Sequence, residues 1–221
     1  MRTTPWVRPE QAIAGEGIST SRVNAYRDGN QTIPSGAETR VCLNSERFDS
    51  LGEMDISLVS GTADATEANK LHDADGGFSA ADVGKWVWNT SDNTYTTVAA
   101  FVDSGELTLA ANIMANGEGY TLYNSHFVAT VDGYYSVMAQ VMVQDVGDGK
   151  KLQCIVAINT DTLTEGILIP GAAQWCSAMA ATIVHLDAGD KIALHAKHEH
   201  GSSRVLNGWA IHSFLAVHRL S

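Results

Sequence analysis

Phe127–Val143 reads FVATVDGYYSVMAQVMV, and in it Tyr135, Val137, Ala139, Val141 and Val143 place an apolar side chain at every second position. That is the period of a strand with one buried face. Leu152, Cys154, Val156 and Ile158 repeat the alternation in LQCIVAIN. Further on, AMAATIVHLDAGDKIALHA (Ala178–Ala196) sets Leu186-Asp187-Ala188-Gly189-Asp190 between the run Ala178, Ala180, Ile183 and the run Ile192, Leu194. A Gly/Asp turn of this kind is expected to join two antiparallel strands. SFLAVHRL (Ser213–Leu220) supplies one more strand. Antiparallel pieces with one apolar face must bury it against a second sheet, so an all-β sandwich is the expected fold.

The rest of the chain is consistent with that class. At 221 residues it is long enough for one large β domain or two small ones, and 44 % hydrophobic with 18 % charged residues excludes a disordered protein. No apolar run approaches the roughly 18 residues of a membrane-spanning helix, and MRTTPWVRPEQ lacks the apolar stretch of a secretory signal. A soluble product made in the host cytoplasm, with no membrane partner, is the expectation. A net charge of −11 with no Lys/Arg cluster speaks against nucleic acid as a partner, because phosphate binding needs concentrated positive charge. Cys42, Cys154 and Cys176 are widely spaced without a C-x-x-C pair, and read as buried small apolar side chains.

Composition shifts twice along the chain. Residues 1–21 carry Pro5, Pro9, Gly15 and Gly17 without periodicity and read as an extended N-terminal arm. Val23–Tyr26 and Thr39–Leu43 are short strand candidates around the turn-rich DGNQTIPSG. From Asp55 to Asn124 short strands such as Lys85–Asn89, Tyr95–Val98, Glu106–Leu109 and Tyr120–Tyr123 sit between Asp/Asn/Gly/Ser turns. This stretch reads as a small β-meander inserted in a surface loop of the sandwich, where insertions are tolerated if the loop ends are close. The domains expected are therefore the arm (1–21), a β sandwich (22–54 and 125–221) and an inserted β module (55–124).

Taken together, the Gly133-Tyr134-Tyr135 strand opening, the Leu186–Asp190 turn about fifty residues later and the Ser213-Phe214 strand near the end resemble the globular head domain of the complement and tumour-necrosis-factor superfamily. The segment ETRVCLNSERFDS (Glu38–Ser50) stands where that family has a segment of the type V-x-F-D after its opening strand. The resemblance implies a jelly roll for the sandwich of residues 22–54 and 125–221, and a compact homotrimer that presents surfaces and carries out no chemistry. KLHDADGGF (Lys70–Phe78), GKWVWNTSDNT (Gly84–Thr94) and GEGY (Gly117–Tyr120) resemble a module of bacteriophage structural proteins, decoration and fibre proteins among them.

Several residues are candidates for contact or chemistry. His195 and the pair His198 and His200 fall on opposite strand faces in LHAKHEH, so at most two could reach one metal from a single chain. Asp73, Asp75 and Gly76 imitate the start of a calcium loop, but Gly84 stands where the bidentate Glu belongs, and an Asp/Gly turn is preferred. Trp86 and Trp88 share a strand face, where aromatics stack on sugars or anchor a partner, or else fill a small core. In the arm, Trp6, Val7, Arg8 and Ile13 are the candidates for threading along another protein. No carboxylate pair stands in a catalytic frame, and neither G-x-S-x-G nor a phosphate-binding loop occurs. No enzyme activity, metal or cofactor is expected. The function expected is a homotrimeric capsid decoration or cement protein on the outer virion surface, bound to the major capsid protein. The alternative is a tail-fibre tip, attached to tail proteins and recognising a host surface glycan.

Overall fold

The computed structural model describes residues 20–172 and 174–220. The chain enters through β1 (Arg22–Tyr26), β2 (Gln31–Ile33), β3 (Thr39–Arg40), β4 (Ser45–Asp49) and β5 (Met54–Asp55). Next come β6 (Leu58–Thr62), β7 (Lys70–His72), a 3-10 turn at Ala80–Asp82, β8 (Trp86–Asn89), β9 (Thr94–Asp103), β10 (Glu106–Leu109) and β11 (Gly119–Tyr123). The chain then continues through β12 (His126–Val128), β13 (Gly133–Val143), β14 (Leu152–Ile158), β15 (Asp161–Leu168) and β16 (Cys176–Leu186). It finishes with β17 (Lys191–His198), β18 (Arg204–Leu206) and β19 (Phe214–Arg219).

Two sheets face each other as a jelly-roll sandwich. In the first, β16 pairs β13, β13 pairs β19, β19 pairs β1 and β1 pairs β4, with β18 and β2 continuing beside the end of β13. The second runs β15-β14-β17-β12-β5, with β3 against the far end of β17. The inward residues are those the alternation picks out. Tyr135, Val137, Ala139 and Val141 from the first sheet meet Phe127, Leu152, Cys154, Val156, Ile192 and Leu194 from the second, in one core. Phe127 and Tyr135 touch edge to face at 5.7 Å, an arrangement aromatic pairs favour.

Two expectations change here. The Asp187–Asp190 turn does not close a hairpin: β16 pairs β13 while β17 pairs β14, so the turn carries the chain from one sheet to the other. Its geometry is tight enough for that step, with Asp190 N donating to Asp187 O at 3.0 Å, Asp187 N donating to Asp190 Oδ2 at 2.9 Å, and Gly189 at φ 98°. Ile183 also leaves the core set. Its position is odd where Ala178 and Ala180 are even, so the pleat turns it to the outer face.

Every strand of the third sheet lies between Leu58 and Tyr123, in the order β6-β11-β8-β9-β10-β7. The β8-β9-β10 run is a meander, and β6 and β7 are added at its two ends through β11 and β10. Asp64 N donates to His72 O at 2.9 Å, which draws the two edges together. The sheet wraps its own core of Leu71, Phe78, Val87, Val98, Leu107, Tyr120 and Leu122, separate from that of the sandwich. Its end strands pair with each other, Tyr123 opposite Leu58. Immediately beyond, β5 and β12 pair with His126 opposite Asp55. The module thus leaves and re-enters the sandwich at one hairpin. Of the arm read over residues 1–21, only Thr20 and Ser21 fall among the described residues, so Trp6, Val7, Arg8 and Ile13 lie outside them.

Candidate functional site

β8 alternates, so Val87 and Asn89 face the core of the inserted sheet while Trp86 and Trp88 share the opposite face. That face meets the sandwich. Trp88 stacks on Tyr95, its neighbour across the β8–β9 pair, with centroids 5.9 Å apart and planes 10° from parallel, and Arg27 lies over the indole at 5.7 Å. Arg40 lies 5.9 Å over Trp86, which also meets the His195 ring at 6.0 Å. The Tyr95 hydroxyl donates to Thr32 O and accepts from Gln31 Nε2, and the Tyr123 hydroxyl donates to Arg40 O at 3.0 Å. Both tryptophans are half-buried against arginines of the jelly roll. The sequence placed them on one face; it did not reveal that Arg27, Arg40 and His195 would meet them there.

Arg40 organises this junction. Its Nε donates to His195 Nε2 at 3.2 Å and its Nη1 to Asn124 O at 3.0 Å. Because Nε2 accepts, the His195 proton sits on Nδ1 and is donated to the Glu38 carboxylate. That hydrogen bond holds Glu38 below its ordinary pKa. Burial lowers the His195 pKa despite the Glu38 contact, so the imidazole is neutral at pH 7. The constellation has a base-like histidine oriented by a carboxylate, but a guanidinium rather than a nucleophile occupies its other nitrogen. Cys42 and Cys154 are buried, which raises both thiols, Cys154 up to about 12. Thiols held in that state are not nucleophiles at neutral pH.

The other sequence candidates are dispersed. β17 ends at His198, whose Nε2 donates to Ile33 O at 3.0 Å while Nδ1 accepts from His200 N at 3.3 Å. Both ring nitrogens are therefore engaged. His200 lies beyond the strand, beside Arg204 and Ser202. Asp73 accepts from Asp75 N at 3.0 Å and from the Tyr120 hydroxyl at 2.7 Å, the geometry of an Asx turn. Among the described residues no group of three or more His, Cys, Asp or Glu side chains is placed to hold a metal ion. No helix among them is long and apolar enough to cross a membrane.

A second surface was not read from the sequence. The outer face of the first sheet exposes Tyr134 and Met138 on β13, Met179 and Ile183 on β16, and Phe48 on β4. Phe48, Met138 and Ala216 border a shallow groove of about 460 Å³ on it. At the β15 edge Ile167, Ile169 and Trp175 are exposed as well. The only signal available was strand parity: the large apolar residues at out-facing positions exceed what one solvated face needs.

The chain matches no family model and no curated protein. Among solved structures it is similar to the Eiger TNF of S. frugiperda, at 13 % identity over 92 % of this chain and 94 % of that one, with a TM-score of 0.41. It is similar to the globular domain of zebrafish complement 1qA protein, at 8 % identity, covering 91 % and 98 % of the two chains, TM-score 0.45. Murine APRIL gives 12 % identity, 91 % and 99 % coverage and a TM-score of 0.45. None of the three is a bacteriophage protein; the likeness of the inserted module to phage structural modules rests on its sequence phrasing alone.

Proposed function

We propose that this chain is a homotrimeric, non-catalytic virion structural protein, a decoration or cement protein that lies on the outer capsid surface and binds the major capsid protein. The observation that supports assembly is the pair of unlike apolar surfaces on one sandwich: the outer face around Met138, Met179 and Ile183, and the edge around Ile167, Ile169 and Trp175. A face that meets a different patch on its neighbour makes a heterologous contact, and such a contact closes into a ring when its rotation is a third of a turn. Three arms on one rigid trimer would then hold the shell by avidity, each later contact forming at high effective concentration.

The test is location and dependence. In purified particles the protein belongs on the shell, and a trimer lacking residues 1–21 fails to bind empty capsids, with Trp6→Ala giving a weaker loss. A truncated trimer that decorates capsids as tightly as the complete one overturns the clamp. The alternative, a tail-fibre tip reading a host glycan, draws support from the junction of Trp86 with Arg40; there the intact trimer binds host cells and the protein is found on the tail.

A further inference from the structure

A cleft of about 590 Å³ opens where the inserted module meets the jelly roll. That volume falls in the range of small-molecule sites. Trp86 and Thr97 line it from the module, and Arg40, Asn124, Thr160 and Lys191 line it from the sandwich. Its charge runs against that of the molecule. The chain carries 25 acidic against 14 basic side chains, yet the lining contains two permanent cations, Arg40 and Lys191, and no carboxylate.

The neighbouring acids are turned to other work. Asp55 accepts from Asn124 Nδ2 at 2.7 Å, and Asp190 accepts from Asn159 Nδ2 at 3.0 Å. These bonds fix the amides that border the cleft, and neither carboxylate is part of its lining. Arg40 is itself held in place through Nε and Nη1, and its Nη2 makes no hydrogen bond among the described residues. Nor do the hydroxyls of Thr97 and Thr160 or the ring of His126, which also lines the cleft. Burial, reinforced by Arg40 and then Lys191, holds the His126 imidazole down at about 4 against the pull of Asp55. The charged side chains that line the cleft are thus both cationic.

A flat indole, fixed amides, unclaimed hydroxyls and two cations suit a ring that is amphipathic, rich in hydroxyls and negatively charged. A neutral sugar would offer Arg40 and Lys191 no charge-assisted hydrogen bond. A peptide would want deep apolar pockets, and beside Trp86 the cleft offers only Ala81 and Val83 as aliphatic lining. We propose that the cleft binds an acidic saccharide, with a sugar ring against Trp86 and its carboxylate between Arg40 and Lys191. The site is built within one chain and does not depend on trimerisation or on a place in a virion.

The test is calorimetric titration of the full chain with tetragalacturonate, with sialyllactose as a second carboxylated sugar, and with a neutral galactose tetramer of the same length. Binding of either acidic probe, at least about tenfold tighter than the neutral one, is expected; a tenfold ratio corresponds to about 1.4 kcal/mol. Lys191 is exposed, so Lys191→Gln keeps the fold, and it should weaken the acidic probe roughly two- to fivefold, the range of one solvent-facing ionic contact. In NMR the Trp86 indole resonance should shift with the acidic probe. Equal affinity for acidic and neutral tetramers, no binding of either acidic probe, or an unchanged affinity in Lys191→Gln overturns the proposal. So does displacement by acetate or inorganic phosphate at the same concentration as the sugar, which would mark an anion site that does not read a saccharide.

Discussion

Replacing Ile183 by Asp separates a solvated face from an interface. In the single chain Ile183 keeps 65 % of its surface exposed. Burying an entire Ile side chain is worth about 1.5–3 kcal/mol, so covering the exposed two thirds contributes roughly 1–2 kcal/mol per copy. A closed ring repeats the contact in each subunit, which brings the loss in Ile183→Asp to roughly 3–6 kcal/mol per trimer. At about 1.4 kcal/mol per tenfold, association weakens by roughly two to four orders of magnitude, before any cost of burying the new carboxylate. The fold itself should barely notice, because a polar change on an open face shifts stability by about 0.5 kcal/mol. Sedimentation velocity at micromolar concentration should find the wild type near three times the 23.6 kDa chain mass and the variant near one, with matching thermal unfolding of the monomeric state. A wild type that sediments as a monomer, or a variant that keeps the wild-type mass, would refute the reasoning.

Replacing residues 58–123 by a short Gly/Ser linker should leave a folded sandwich, because β5 and β12 already pair at the point of exit; loss of all soluble protein would show that the two cores fold as one. The His126 pKa of about 4 lies below the ordinary 6.5, so the unfolded chain takes up a proton first as pH falls. Stability is then complete above about 6.5 and declines by about 2–3 kcal/mol towards pH 4; His195 and His198, also lowered chiefly by burial, act in the same direction. Denaturant unfolding across that window checks it, and His126→Gln should flatten the slope. Gly166→Ala would set a Cβ 1.6 Å from the carbonyl oxygen of Met179, forcing β15 away from β16 at a cost of about 1–3 kcal/mol. Calorimetry should show Tm lowered by several degrees, at about 2–4 °C per kcal/mol for a chain of this size, and an unchanged Tm would contradict the close approach.

β13 and β19 were legible because each buries one face and exposes the other, which writes a period of two into the residues. β14 and β17 are buried at nearly every residue, Ile155, Ala157, Ala193 and His195 included, so the alternation read at Leu152, Cys154, Val156 and Ile158, and at Ile192 and Leu194, located both strands but not their second buried face. β15 was not picked out. Asp161–Leu168 is an edge strand whose residues are exposed or half-buried throughout, and its register slips against Val156–Ala157, so no alternation survives. The pairing of β16 with β13 and not β17 was beyond local reading, because a tight turn looks the same whether it closes a hairpin or changes sheets. The same holds for the junction at Trp86. Arg40 and His195 come from strands far apart in the chain and meet through register, Arg40 opposite His195 in the β3–β17 pair, which no spacing in the sequence announces.

The paired exit strands of the inserted module also bear on how the molecule folds. Met54 and Phe127 must find each other across some seventy residues before β5 and β12 can pair. For an open coil that separation is an entropic burden that grows with the logarithm of loop length, at about 0.6 kcal/mol for each doubling. Once β6 lies on β11, Leu58 and Tyr123 are neighbours, and the free chain between the hairpin strands shrinks to a few residues on each side. The saving is about four doublings, or roughly 2.5 kcal/mol. The module therefore acts as a molecular clasp: if its sheet forms first, the long-range pairing in the sandwich becomes a short-range one, and mutations in a sheet remote from the main core should slow the folding of the jelly roll.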